Sequence, residues 1–180
     1  MSADDAAVRY DRQVRLWGST TQKMLHATRL FVGPGAVVSE TVKNLVLSGV
    51  GAVVLHDPAP ATEDDVNTCF LLRPEDVAQR KPRADAAAPR LGALNPLVDI
   101  SVVATYDAFV AQLKSGTRGG SDHGGPEGDG ATFILLGNAP LPQVEALHAA
   151  APPRTTVVNI FAHTHDESFV AITADAGQAR

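Results

Sequence analysis

An α/β fold, with a mostly parallel sheet covered by helices on both faces, is what this 180-residue sequence predicts. Two observations carry it. Short apolar runs rich in Val, Ile and Leu alternate along the chain with segments of helical period, the pattern of βαβ units rather than of hairpins. The first such unit, a strand, a glycine turn, a helix and a second strand, is complete within residues 28–57. Apolar residues make up 44% of the chain and charged ones 19%, enough to give one domain a full core.

In chain order, residues 1–27 read as a helical arm ahead of that core. Residues 28–33 form a short buried strand ending at Gly33, and residues 37–48 carry Val38, Val42, Leu45 and Val46 at helical spacing, stopped by Ser48-Gly49. A second buried strand covers Gly51–Asp57 and ends on an acid. An irregular stretch rich in Pro and Asp follows to Leu72. A helix is expected from Arg83 to Leu94, stopped by Asn95-Pro96, then a strand at Asp99–Ala104 and a short helix at Asp107–Lys114. Residues 115–130 contain seven glycines and no large apolar side chain, so they are expected to be a disordered loop insertion. Strands at Thr132–Leu136, Thr155–Ile160 and Ser168–Thr173, with a helix at Leu141–Ala150, complete the reading as a single domain.

Bulk properties narrow the function classes. A net charge of −5 argues against nucleic acid or an anionic membrane as partner. The acidic start, Met-Ser-Ala-Asp-Asp, is no secretory signal, and no apolar run approaches the roughly 18 residues of a membrane helix. A single cysteine, Cys69, excludes an internal disulfide framework and fits a reducing compartment, cytosolic or nuclear.

Two segments carry candidate chemistry. In Tyr10-Asp11-Arg12-Gln13-Val14-Arg15-Leu16-Trp17-Gly18, Arg12 and Arg15 share a helix face at i, i+3, with Trp17 available as an anchor. A guanidinium is always charged and presents a planar fork suited to phosphate or carboxylate; the same pattern also fits a solvated helix with a buried tryptophan. The turn Gly33-Pro34-Gly35-Ala36-Val37-Val38 keeps two glycines of a Gly-x-Gly-x-x-Gly dinucleotide turn, but Val38 stands at the third, where the helix and a phosphate need close approach. Asp57, at the end of the second strand, could accept hydrogen bonds from ribose hydroxyls. Gly33, Gly35 and Asp57 therefore outline a degenerate nucleotide site.

The nonapeptide together with Ser39-Glu40-x-x-Lys43-Asn44-Leu45-Val46-Leu47-Ser48-Gly49-Val50-Gly51 resembles the ThiF-type adenylation fold of ubiquitin-like activating enzymes. The likeness continues through Asp57, Thr62–Asp65, Asn67-x-x-Phe70, Pro74–Val77 and Ala93–Pro96, over roughly residues 10–105. It implies a Rossmann-like adenylation fold, short at its C-terminus. An active domain of this family has a ribose acid, an arginine in Asn-Arg-Gln, a lysine on the following helix and a metal-binding aspartate after a later strand. Here the acid is Asp57, the arginine position reads Thr68, the lysine falls at Lys81 or Arg83, and the aspartate corresponds to Gly137. Losing two preorganised charges of about 3 kcal/mol each would slow adenylation by roughly four orders of magnitude.

The resemblance is therefore to the inactive, pseudo-adenylation subunits, whose N-terminal arginine reaches the ATP of a catalytic partner; Arg12 matches that position, and Arg15 is expected to be structural. It implies a heterodimer with a catalytic subunit that holds ATP and Mg, a ubiquitin-like modifier as further partner, no cofactor or metal on this chain, and a location in nucleus and cytoplasm. The tyrosine-led motif is similar to the smaller subunit of SUMO-activating enzyme and to the regulatory subunit serving the cullin-modifying ubiquitin-like protein. Glu75–Val77 and Leu94–Pro96 favour the former, while Lys43–Leu47 leans slightly toward the latter. The alternatives are a self-sufficient ThiF-like adenylyltransferase acting as a homodimer, and a nucleotide-free scaffold. Cys69 reads as a packed thiol, His163-Thr164-His165-Asp166-Glu167 as a polar turn rather than a metal site, and Arg80–Arg83 as a solvated helix start.

Overall fold

The computed structural model describes residues 3–33, 38–115, 131–152, 155–162 and 168–174. Its elements are α1 (Ala3–Ala27), β1 (Arg29–Val32), α2 (Val38–Ser48), β2 (Ala52–Leu55), α3 (Glu63–Thr68), α4 (Pro74–Ala78), α5 (Arg83–Leu94), β3 (Asp99–Val102), α6 (Tyr106–Ser115), β4 (Thr132–Gly137), α7 (Leu141–Ala150), β5 (Thr155–Ala162) and β6 (Ser168–Ala174). The strands form one sheet in the order β3-β2-β1-β4-β5-β6. The first five are parallel, and β6 pairs antiparallel with β5 at the edge. This is the doubly wound order, in which the chain reverses direction across the sheet between β1 and β4.

Because side chains alternate along a strand, each buried run supplies two cores. Leu30, Val32, Val53, Leu55 and Leu135 pack on one face with Val42 and Val46 of α2 and Ala84 and Leu91 of α5. Phe31, Val54, Ile134, Leu136 and Val157 pack on the other with Phe109 and Leu113 of α6 and Val144 and Leu147 of α7. Helices on both faces explain why the strands read as unbroken apolar runs.

Two expectations need correction. The stretch to Leu72, expected to be irregular, contains α3. Its start is a capping box: the Asp65 N–H donates to Thr62 Oγ1 at 3.2 Å while Asp65 Oδ2 accepts from the Thr62 N–H at 3.0 Å. The following α4 opens on Pro74, whose missing N–H costs nothing at a first helical position. The second correction concerns Trp17, which is 37% exposed and not the buried anchor of the arm. Tyr10 is. Residues 116–130, the turn positions Pro34–Val37 with Gly35 among them, and His163–Glu167 lie outside the described residues, as does the Val38 side chain.

Pro89 sits inside α5 on an exposed position, so the helix forgoes one backbone bond. Pro89→Ala should restore it. An interior proline costs about 3 kcal/mol, of which its stiffening of the unfolded chain returns roughly 1. The melting temperature, read by calorimetry, should rise by about 4–8 °C.

Candidate functional site

A cavity of about 60 Å³ opens beyond the carboxyl ends of β1 and β2, bounded by Val32, Gly33, Leu55 and Asp57 and closed over by α2, α3 and α5. Crevices of this kind at strand carboxyl ends are where doubly wound sheets bind ligands. The backbone after β2 explains how the charged groups arrive. Residues 57–61 run beside the start of α5: the Arg83 N–H donates to Ala59 O at 2.9 Å and the Ala84 N–H to Asp57 O at 3.2 Å. That pairing hangs Arg83 directly over Asp57.

Arg83 takes both oxygens of Asp57, Nε at 2.8 Å from Oδ2 and Nη2 at 3.1 Å from Oδ1, and the Ala59 N–H adds a bond to Oδ1 at 3.2 Å. Its Nη1 also reaches Asp65, 3.2 Å from each oxygen. One guanidinium thus serves two carboxylates in a bidentate geometry that lysine could not reproduce. Burial alone would raise the Asp65 carboxyl, but the Thr62 hydrogen bonds and the Arg83 charge outweigh it and hold the group below its ordinary range. Burial likewise opposes the Arg83 charge, and Asp57 and Asp65 together more than offset it.

Of the two candidates for the helix cation, Arg83 is therefore in the cavity wall; Lys81 meets the segment only through its backbone, accepting from the Ala61 N–H at 2.9 Å. Asp57 follows β2, the place of a ribose acid in such sheets, but three of its roughly four acceptor positions are taken, two by Arg83 and one by the Ala59 N–H. Gly33 is explained by packing: a Cβ there would stand 2.6 Å from Leu136 Cδ2. Thr68 is exposed, does not line the cavity, and turns its hydroxyl back to Asp64 O at 2.9 Å within its own helix. Gly137 ends β4 away from the lining, and the neighbouring Asn138 adopts φ 52°. Cys69 is a buried free thiol in the cavity wall.

The walls are otherwise apolar, with one exception missed from the sequence. Ser39, in the first turn of α2, is 9% exposed, and its hydroxyl is the one buried side-chain oxygen or nitrogen of the lining, among the described residues, without a hydrogen-bond partner. No group of three or more His, Cys, Asp or Glu among the described residues is placed to hold a metal.

A second ion pair supports the site from below. Asp76 is buried and accepts from Arg90 Nη1 at 2.6 Å, and Arg90 also donates to Leu71 O and Ala86 O, tying α4 to α5. The Arg90 hydrogen bond chiefly holds the Asp76 carboxyl below its usual value. A depressed carboxyl stabilises the fold above the unfolded-state value of about 3.9 and loses that contribution as pH falls through the lower folded value. Asp76→Asn should therefore be less stable than wild type by a constant margin above about pH 5, and the margin in urea unfolding should shrink below about pH 4.

The N-terminal arm carries the other candidate residues. α1 breaks at Gly18, whose φ 86° and ψ 159° suit glycine alone. On a straight helix Tyr10 and His26 would be about 24 Å apart; their rings lie 4.9 Å apart, so the two halves fold toward each other at Gly18. Trp17 braces the bend, donating from Nε1 to Gln22 Oε1 at 3.1 Å, while Gln22 Nε2 donates to Ser48 O at 3.0 Å. Arg15 pairs with Asp11 one turn back, Nε to Oδ2 at 3.0 Å, on the surface. Arg12 is exposed and makes no ion pair among the described residues; Val8 and Leu16, one turn to either side of it, are each 80% exposed.

Residues 10–114, from the start of the nonapeptide into the last turn of α6, match the model of the ThiF family. The chain belongs to the ThiF family. Among curated relatives, SUMO-activating enzyme subunit 1 of Rattus norvegicus is 41% identical over 101 residues, covering 56% of this chain and 28% of that protein. The Homo sapiens protein of the same name is 41% identical over 101 residues, covering 56% and 29%. The DNA damage tolerance protein RHC31 of Saccharomyces cerevisiae is 39% identical over 102 residues, again covering 56% and 28%. This ThiF chain thus spans under a third of the length of these relatives. In fold, it resembles PaaA with a TM-score of 0.70 at 22% identity, covering 99% of this chain and 57% of that one. Escherichia coli tRNA N6-threonylcarbamoyladenosine dehydratase TcdA, solved with AMP, gives 0.64 at 19% identity, covering 87% and 60%.

Proposed function

We propose that this ThiF chain is the non-catalytic, activating subunit of a heterodimeric ubiquitin-like activating enzyme. In that assembly it supports ATP-dependent adenylation by its partner through Arg12, supplied in trans. The observation that carries this reading is the hold of Arg83 on both oxygens of Asp57. A ribose would have to compete for Asp57 with a bidentate, charge-assisted pair, and the phosphates behind it would meet two carboxylates against one guanidinium. Exchanges at Thr68 and Gly137 point the same way. Arg12, by contrast, is a cation whose fork is unengaged among the described residues, on an exposed helix face, and adenylyl and phosphoryl transfers respond strongly to an arginine brought from a neighbouring subunit.

SUMO is the modifier this reading favours, supported by relatives bearing the name SUMO-activating enzyme subunit 1. ATP and Mg would be bound by the partner, and the assembly would work in the nucleus and cytoplasm. The test is ATP:pyrophosphate exchange, measured for the chain alone and for the chain purified with its co-expressed partner in the presence of SUMO. Exchange only in the second case is expected. Turnover by the chain alone would establish a self-sufficient adenylyltransferase instead, and a pair that works only with the cullin-modifying protein would reassign the modifier.

A further inference from the structure

We infer that Tyr10 and Asn95 are positioning residues for Arg12: their buried hydroxyl–amide bond fixes the helical segment that carries the arginine. This rests on the role proposed for Arg12 above. Asn95, the residue that ends α5, is 0% exposed, and its amide spends both protons on named partners, Tyr10 Oη at 2.7 Å and Val46 O at 2.7 Å. Its Oδ1 accepts from the Leu97 N–H at 3.3 Å. Asn95 is thereby fixed to α2 and to its own turn, and the bond to Tyr10 extends that rigid frame to the arm.

The ring of Tyr10 completes the clamp. It is 3% exposed, lies against His26, and covers Gly49 so closely that a Cβ there would sit 2.5 Å from a ring carbon. Arg9 Nη1 adds a bond to Leu94 O at 3.1 Å. Two residues along a helix is a rotation of about 200°. Anchoring Tyr10 inward therefore turns Arg12 outward, between the exposed Val8 and Leu16. The bend at Gly18 lets the same tyrosine touch both halves of α1, so the orientation of Arg12 is set by α2 and α5 and not by the arm's own sequence.

Tyr10→Phe removes only the hydroxyl and leaves the ring packing. Amide hydrogen exchange over residues 8–17 of the full chain should quicken by about tenfold, with β1 and β4 amides unchanged. In the heterodimer, with ATP and SUMO, exchange of pyrophosphate should fall about five- to tenfold in kcat with KM for ATP unaltered. In an Arg12→Ala background the same substitution should cause no further fall. Unchanged hydrogen exchange in the arm would overturn the clamp. An equal loss of rate with and without Arg12 would overturn its positioning role and leave a merely structural one. A quickened arm together with a wild-type rate for Arg12→Ala alone would instead sink the in-trans reading and keep the clamp.

Discussion

Arg12→Ala is expected to lower the kcat of partner-dependent adenylation by about 10²- to 10³-fold, the range seen when one preorganised donor to a developing charge is removed. The loss should fall on kcat and not on KM for ATP, because a group that meets charge developing in the transition state adds little to ground-state binding. Arg12→Lys should recover part of the rate: it keeps the charge and loses the fork. Arg15→Ala should change the rate less than threefold or so, since its partner is Asp11 on the same helix and both are on the surface. Steady-state pyrophosphate exchange by the purified pair measures all three. A rate for Arg12→Ala within a factor of two of wild type would remove the arginine from the mechanism.

The largest effect on folding is expected at Gly51. Its N–H donates to Thr28 O at 3.0 Å and its carbonyl accepts from the Asp99 N–H at 3.1 Å, so the residue is pinned where the end of α1 crosses the start of β2 and β3. A Cβ at Gly51 would run into the carbonyl of His26, 2.9 Å from its carbon, and lie 3.2 Å from Thr28 O. All of these are backbone atoms, which cannot step aside as a side chain end can. Gly51→Ala should cost at least about 4 kcal/mol, a large share of the roughly 5–15 kcal/mol of an ordinary domain, and should move the urea midpoint far down. Gly92→Ala is the contrast: nothing lies within 4 Å of its Cβ, and inside α5 alanine should stabilise.

Much of the fold was legible because its signals are local. The strand runs, the helical period of residues 37–48 and the stop at Asn95-Pro96 each reflect what a short segment does alone, and all recur within a residue or two. The capping box at Thr62–Asp65 is an equally local signal, but it lies within a stretch dominated by Pro and Asp, where a helix of six residues has no room to show a period. The register of the cation was not local. Lys81 and Arg83 are two residues apart, and only the pairing of residues 57–61 with the start of α5 decides which of them faces Asp57. Nor could Trp17 be ranked against Tyr10 as anchor: both are large aromatics, and the choice depends on Gly49 leaving room for one ring.

By itself the sequence determined the class of fold and the family to which residues 10–114 belong. Each is a matter of residue identity and period, which the chain states directly. Tertiary structure decided what the surviving groups do. Asp57 survives as a residue and is gripped at both oxygens by Arg83, and Arg12 is held outward by a tyrosine two positions away, bonded to an asparagine 85 positions from that tyrosine. Hydrogen bonds between residues far apart in sequence have no period to announce them, so they emerge only once the sheet has brought their elements together.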